Sequence, residues 1–143
     1  MGSVVFYIKV VALWFQIYNK TVTAKGEFVL KISKHNAEHY IWGDQCDGWR
    51  LVKNDDLSII HERMPGNTHE VRHYHHHARQ FFFILSGTAV LEVNGERIQL
   101  GSQEGCEVPP LVPHQMFNET NEDVEFLVIS QPASRGDRVL TEN

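Results

Sequence analysis

The stretch GNTHEVRHYHHHARQFFFILSG, residues 66–87, decides the fold and holds most of the histidines. Five of the nine histidines in the chain fall between His69 and His77. Side chains alternate along a β-strand, so His73 and His75 point to the same face. Gln80 opens the next predicted strand, whose apolar run at residues 81–85 indicates that both of its faces are covered.

A further histidine lies downstream of a predicted hairpin. The Asn-Gly pair at residues 94–95 tolerates the positive φ angles of a type I′ turn, and a proline-rich turn at residues 109–113 precedes His114. If the strands are neighbours in a barrel, three imidazoles and one amide oxygen converge, those of His73, His75, His114 and Gln80. Such ligands suit zinc, iron, nickel, copper or manganese. The sequence therefore predicts one divalent transition metal per chain.

Both segments resemble the sequence motifs of the cupins. The first motif has the pattern glycine, His-x-His, an acidic residue and glycine, matched by Gly66, His73, His75, Gln80 and Gly87. The second motif ends Pro-x-Gly-x-x-His-x-x-x-Asn and is matched by PPLVPHQMFN at residues 109–118. The resemblance covers residues 57–130. It implies a small single-domain protein with an all-β, cupin-type double-stranded β-helix, a jelly-roll barrel with a six-stranded core. The resemblance does not explain residues 1–26, from which we expect extra N-terminal strands.

The chain departs from the cupin pattern at three positions. Gln103 and Leu111 stand where the second motif has glycines, which supply backbone angles that other residues reach only at a cost. Gln80 replaces the acidic ligand of the first motif. A neutral amide holds a cation more weakly and leaves it a stronger Lewis acid. The alternative is that Gln80 is no ligand and only orients a histidine or a water.

Four further residues are candidates for a substrate pocket, although no catalytic residue is assigned. His61 and Arg63 share one face of a predicted strand, and the other face takes Ile60, Glu62 and Met64. We expect His61 and Arg63 to line the pocket; the alternative is an exposed polar face. Phe82 has the same parity as Gln80 and should point inward. His77 either continues the strand of His75 or, as we expect, lies in a solvated loop at the barrel mouth.

Residues 1–26 form an N-terminal extension to a barrel domain at residues 27–143. Within the extension, residues 4–18 (VVFYIKVVALWFQIY) are too short for a transmembrane helix, which needs ~20 apolar residues. They also lack the basic start of a signal peptide. Extra edge strands, a cloning scar and a mis-annotated start remain open. Residues 34–39 predict one helical turn, and we expect the tail at residues 134–138 to be solvated.

Composition excludes several classes of protein. The chain has 143 residues, a net charge of -5 and 42% hydrophobic residues, which are ordinary values for one globular domain. A mildly acidic chain gives no sign of a basic surface for nucleic acid or an anionic membrane, so we expect neither partner. The two cysteines are too few for a disulfide scaffold. We expect a cytoplasmic protein; secretion through a weak N-terminal signal is the alternative.

Three functions fit these observations. The first is a metal-dependent enzyme on a small polar metabolite, an oxidoreductase or isomerase with dioxygenase-, isomerase- or decarboxylase-like chemistry. The second is a non-catalytic binding protein for a sugar-like molecule, which the lack of an obvious pocket carboxylate favours slightly. The third is a metal-free cupin similar to sugar epimerases, with a histidine and a tyrosine as acid and base.

A homodimer is the expected assembly. Phe81, Phe83 and Leu85 should face away from the metal residues, and an apolar outer face needs a cover. A second subunit would supply it, as in other small cupins. The alternative cover is the apolar segment at residues 4–18.

Overall fold

The structure, a computed structural model, describes residues 20–26 and 28–142. The chain divides after Asn36 into two compact units. In the described part of the first unit, β1 (Lys20–Val22) and β2 (Phe28–Leu30) form an antiparallel hairpin. The alternatives for residues 4–18 lie outside the described residues.

The helical turn predicted at residues 34–39 is wrong. Asn36 Oδ1 accepts a hydrogen bond from the Ser33 amide at 2.7 Å, and the Asn36 amide donates to the Ser33 carbonyl at 3.2 Å. This closes a turn at residues 34–36, since an asparagine side chain competes with helical hydrogen bonding. Strand geometry resumes at Glu38.

The second unit consists of antiparallel β-strands. They are β3 (Glu38–Trp42), β4 (Cys46–Lys53), β5 (Ser58–Met64), β6 (Thr68–His69), β7 (His73–His75), β8 (Arg79–Ser86), β9 (Ala89–Val93), β10 (Glu96–Leu100), β11 (Gly105–Val108), β12 (His114–Asn118), β13 (Val124–Gln131) and β14 (Arg138–Leu140). One six-stranded sheet has the order β10-β9-β12-β7-β14, with β6 paired to β12, and the other has the order β11-β8-β13-β5-β4-β3. The described residues contain no helix, and therefore none that could cross a membrane. The all-β jelly-roll prediction is confirmed.

The core lies between the two sheets and is apolar over most of its extent. Fully buried side chains come from both sheets, and the largest are Met64, Phe82, Ile84, Leu91, Met116 and Phe126. Polar side chains occupy another part of the same interior. There the buried residues include His73, His75, Gln80, His114 and Ser130. The sheets thus build a polar site inside a largely apolar barrel.

Strand β8 shows the alternation expected from its sequence. Gln80, Phe82 and Ile84 are buried, and Phe81 on the other face is 38% exposed. The rings of Phe81 and Phe83 stack with centroids 6.3 Å apart. The outer face of β8 is therefore apolar, and the homodimer that this face suggested stays a prediction.

The turns that lack the family's glycines keep a glycine-like backbone. Gln103 has a φ angle of 68° and Leu111 has a φ angle of 65°. Non-glycine residues in this region cost on the order of 1–3 kcal/mol each. Hydrogen bonds support both turns, since the Leu111 amide donates to the His75 carbonyl at 2.7 Å and the Gln103 amide to the Ile84 carbonyl at 2.8 Å. The turn shape before His114 thus survives the loss of its glycine.

Candidate metal centre

The structure brings the three predicted histidines together. His73 and His75 lie on β7, and His114 on β12 is the register partner of His73. One ring nitrogen of each lies within 4.8 Å of the other two. The exposed fractions of the residues are 3%, 5% and 1%. Alternation along β7 and one cross-strand pair therefore create the cluster.

Backbone carbonyls orient two of the three rings. His73 Nδ1 lies 2.8 Å from the Val71 carbonyl oxygen, and His114 Nδ1 lies 3.0 Å from that of Val112. A carbonyl only accepts, so both contacts fit a proton on Nδ1. His73 Nδ1 also lies 3.1 Å from Arg138 Nη2, but the Val71 carbonyl, which accepts from the same guanidinium nitrogen, is the nearer neighbour. With the proton on Nδ1, each Nε2 keeps its lone pair for a cation, which is the usual arrangement of metal-ligating histidines.

His75 supplies the test of whether the residues fit a metal. Both of its ring nitrogens are buried, and neither has a hydrogen-bond partner among the described residues. A buried polar atom without a partner costs about 1–3 kcal/mol, so such atoms are rare in proteins. A cation held by the cluster would satisfy one of them. The donor set therefore fits a divalent transition metal.

Gln80 faces the cluster from the opposite sheet. Its Oε1 lies 2.9 Å from His114 Nε2, and its Nε2 donates to Ser130 Oγ at 3.0 Å. With the His114 proton on Nδ1, the two facing atoms both present lone pairs, which suits a shared cation. If His114 instead carries its proton on Nε2, Gln80 only orients the ring.

Replacing Gln80 with glutamate separates these two roles. As a ligand, the new carboxylate should tighten metal binding about tenfold, or ~1.4 kcal/mol, because it offsets the charge of the cation. Competition with a chromophoric chelator measures the affinity. Gln99→Glu makes the same change at an exposed position of β10 and should leave the affinity unchanged. Equal affinities in both variants would place Gln80 outside the ligand set.

All three histidines are neutral at physiological pH. Burial, together with the neighbouring His114, lowers the pKa of His73 to about 3 and that of His75 to about 4. Burial also lowers the pKa of His114. Neutral imidazole is the form that binds metals. The cluster is thus ready to bind at neutral pH without releasing a proton.

A cavity of about 540 Å³ opens beside the cluster. His73, His75, Gln80 and Phe82 form one part of its wall. The rest of the lining includes polar residues of other elements, among them Tyr40, Glu62, Glu70 and Arg138. The volume lies within the ~300–1,000 Å³ of small-molecule sites.

Three predicted pocket residues lie elsewhere. His61 and Arg63 occupy the opposite face of β5, where His61 Nε2 lies 2.6 Å from Glu125 and Arg63 pairs with Asp47 at 2.6 Å. The prediction took the wrong parity of β5, because the cavity is lined by Ser58, Ile60 and Glu62. His77 is exposed in the loop after β7, and its amide donates to Asp137 at 2.9 Å.

The carboxyls of the cavity were missed. The expected lack of a pocket carboxylate is wrong, since Asp55, Glu62 and Glu70 all line the cavity. Burial raises the pKa of Glu62 to about 8, with a contribution from the charge of Glu70, and raises that of Glu70 to about 7 against the pull of Arg138. The sequence pattern could have identified Glu62, since this glutamate alternates with Ile60 and Met64 on an otherwise apolar strand face. Glu70 lies between β6 and β7, and no such pattern marks it.

Comparisons with known proteins agree with this architecture. A family model for the cupin domain matches residues 60–130. Among curated proteins, an uncharacterized protein of Methanocaldococcus jannaschii is 23% identical over 82 residues. The aligned part covers 57% of this chain and 66% of that protein, which is just under two thirds of the relative's length.

Solved structures of several enzymes share the fold. The polyketide cyclase RemF of Streptomyces resistomycificus has a TM-score of 0.70 at 14% identity, over 80% of this chain and 87% of its own. A predicted oxalate decarboxylase of Thermotoga maritima has a TM-score of 0.67 at 16% identity, over 73% and 100%. The nucleoside dehydratase Pac13 of Streptomyces has a TM-score of 0.67 at 14% identity, over 80% and 92%. With its matching domain, its two motifs and its two-sheet barrel, the chain is a small cupin domain protein.

Proposed function

We propose that this cupin is a metal-dependent enzyme that acts on a small polar molecule with a carbonyl or hydroxyl oxygen. The observation that carries the proposal is His75, whose two buried ring nitrogens lack a hydrogen-bond partner among the described residues. Beside it, His73 and His114 are held through Nδ1, which leaves their Nε2 atoms for a ligand. The proposed ligands are His73, His75 and His114, with Gln80 as the fourth. A bound divalent metal, of the zinc, iron, nickel, manganese or copper type, would polarise the substrate oxygen as a Lewis acid.

The chain's own residues supply the rest of the site. Phe82 covers the apolar side of the histidine cluster, with its ring centroid 5.6 Å from that of His114. Arg138 donates to the Val71 carbonyl at 3.2 Å, so a guanidinium is fixed at the wall next to His73. Most of the cavity wall is polar or charged, with Arg50, Lys53 and Glu62 among its residues, and such a wall suits a small polar molecule. The enzymes that share the fold support a catalytic role in general and not a particular reaction.

A metal-free acid–base enzyme is the second candidate. One observation favours it: the Tyr40 hydroxyl lines the cavity and donates to Glu62 Oε1 at 3.2 Å. Histidine and tyrosine were the pair expected for an epimerase-like cupin. The two candidates differ in whether the histidine cluster holds a cation.

Metal analysis of the untagged protein decides between them. We expect close to one equivalent of a transition metal per chain, since the cluster forms one site. Removing a metal present at ~100 times its Kd costs about 2.7 kcal/mol, which lowers the Tm by roughly 5–10 °C. Elemental analysis and thermal denaturation with and without chelator measure both effects. The proposed enzyme would be excluded if the preparation held no metal and its Tm did not change with chelator or added metal. The metal-free candidate would then remain.

A further inference from the structure

A second polar cluster lies in the same cavity, on strands of the other sheet. Glu62 on β5 is 8% exposed, and its Oε1 accepts the hydrogen bond of Tyr40 on β3. Both side chains line the cavity together with His73 and His75 of β7. A small molecule in this cavity would therefore lie between the histidines and the Glu62 carboxyl.

Glu62 differs from Glu92, a second buried glutamate of the described chain. Glu92 is also 8% exposed, but it pairs with Arg72 at 3.0 Å, which helps to lower its pKa. Glu62 forms no ion pair within the described residues. Its single side-chain hydrogen bond there comes from a neutral phenol. A buried carboxyl that faces a cavity without a cationic partner is a usual form of a catalytic acid or base.

The charged groups around Glu62 keep its two protonation states close in free energy. Tyr40 of β3 donates to it, and the neighbouring charge of Glu70 raises its pKa. Arg50 of β4 and Arg138 of β14 instead lower the pKa of Glu62 through their positive charges. The Arg50 guanidinium lies 4.5 Å from the Tyr40 ring centroid. With burial as the largest effect the pKa reaches about 8. Both forms are therefore populated near neutral pH, as proton transfer in both directions requires.

We propose that Glu62 is the catalytic acid–base of this enzyme and that the substrate is a small 2-hydroxy carbonyl compound. The inference rests on the proposed function, because the histidine cluster must hold the substrate oxygen. It selects isomerisation from the reaction classes that the fold allows. Tyr40 is the positioning residue that holds the carboxyl toward the cavity.

The proposed step conserves atoms and electrons. The Glu62 carboxylate removes the proton from the carbon that bears the hydroxyl group, and that C–H bond breaks. Its electron pair forms a C=C bond to the carbonyl carbon, whose π pair moves to the oxygen at the histidine wall. The hydroxyl proton passes to that oxygen, and Glu62 returns its proton to the former carbonyl carbon. The product is the isomeric hydroxy carbonyl compound, and no oxidant or reductant is consumed.

Esterification by diazoacetamide tests the Glu62 carboxyl without a substrate. A carboxylic acid protonates the diazo carbon, and the resulting carboxylate displaces N₂ to form an ester, so the reagent marks protonated, accessible carboxyls. At pH 7 the metal-free full chain should be esterified at Glu62 at least ~50-fold faster than at Glu92, as peptide mass spectrometry measures. Labelling of Glu70 in place of Glu62, or no labelling in the cavity, would overturn the proposal.

Proton exchange tests the chemistry. Metal-loaded wild-type protein in D₂O should exchange the protons on the hydroxyl-bearing carbon of hydroxyacetone for deuterium. NMR detects this exchange. Glu62→Gln should lower that rate by at least ~100-fold and keep its metal. Exchange at the buffer rate with wild type, or equal exchange by both proteins, would overturn the proposal. Absence of metal in wild type would instead refute the proposed function, and the labelling result would still assign the Glu62 carboxyl.

Discussion

Replacing His75 with leucine should abolish metal binding and raise the free energy of unfolding of the metal-free protein. A ligand that presents an otherwise unpartnered nitrogen cannot be replaced by a hydrocarbon, so we expect at least a ~100-fold loss of affinity. Without metal, the two buried ring nitrogens of His75 have no partner among the residues that the structure describes. Leucine fills a similar volume and removes both, so we expect a gain of about 1–2 kcal/mol at neutral pH.

The stability gained by replacing His75 with leucine should grow as the pH falls. In the unfolded chain a histidine titrates near its ordinary pKa of ~6.5, whereas burial and the neighbouring His114 lower the pKa of folded His75 to about 4. Between these values the unfolded state binds a proton that the folded state does not. Metal-free wild type therefore loses stability as the pH falls from ~6.5 towards about 4, and the variant lacks this contribution of residue 75. Urea denaturation at pH 7.5 and at pH 5, with metal removed, measures the difference.

His77→Leu is the matched control. It makes the same substitution at an exposed position of the loop after β7. It should keep the metal and change stability by less than ~0.5 kcal/mol. If His75→Leu retained metal, or lost stability at every pH, His75 would be an ordinary core residue and the proposed metal site would lose its strongest support.

Alternation along single strands is the part of the fold that the sequence predicted best. On β7 and β8 every second residue is buried, and the two histidines and Gln80 share the inner side with Phe82 and Ile84. Here the pattern is unambiguous, because both predicted strands pass through the histidine cluster. The position of His114 followed from the hairpin and the proline-rich turn that return the chain to β7.

The rest of the site depends on contacts that a strand pattern does not contain. β5 carries isoleucine on both faces, at residues 59 and 60, so alternation alone did not identify its inner face. The tail at residues 134–138, expected to be solvated, is exposed at several positions, but its last residue, Arg138, begins β14 as the register partner of His75. Glu70 enters the cavity from the short segment between β6 and β7. Such residues are positioned by tertiary packing and not by local sequence.

Asn118 to alanine should be among the most destabilising single substitutions in the barrel. Asn118 closes the second cupin motif, is 1% exposed and lies on β12 with His114. Its Nδ2 donates to the carbonyls of Met64, Pro65 and Glu122 at 3.0, 3.1 and 2.8 Å. Its Oδ1 accepts from the Thr120 amide at 3.1 Å and the Thr120 hydroxyl at 2.8 Å. One side chain thus joins the end of β5 to the turn between β12 and β13.

Alanine at this position leaves several buried carbonyls without hydrogen-bond donors. Each one that water does not reach destabilises the folded state by about 1–3 kcal/mol. We expect a loss of about 3 kcal/mol in the free energy of unfolding, measured by urea denaturation. Asn121→Ala, at an exposed position of the same turn, should cost less than ~1 kcal/mol. The folded Asn118→Ala variant should still bind one equivalent of metal, because the Val112 carbonyl and not Asn118 orients His114. Loss of metal without loss of stability would mean that Asn118 acts on the ligand set, and the second motif would then be a site motif from end to end.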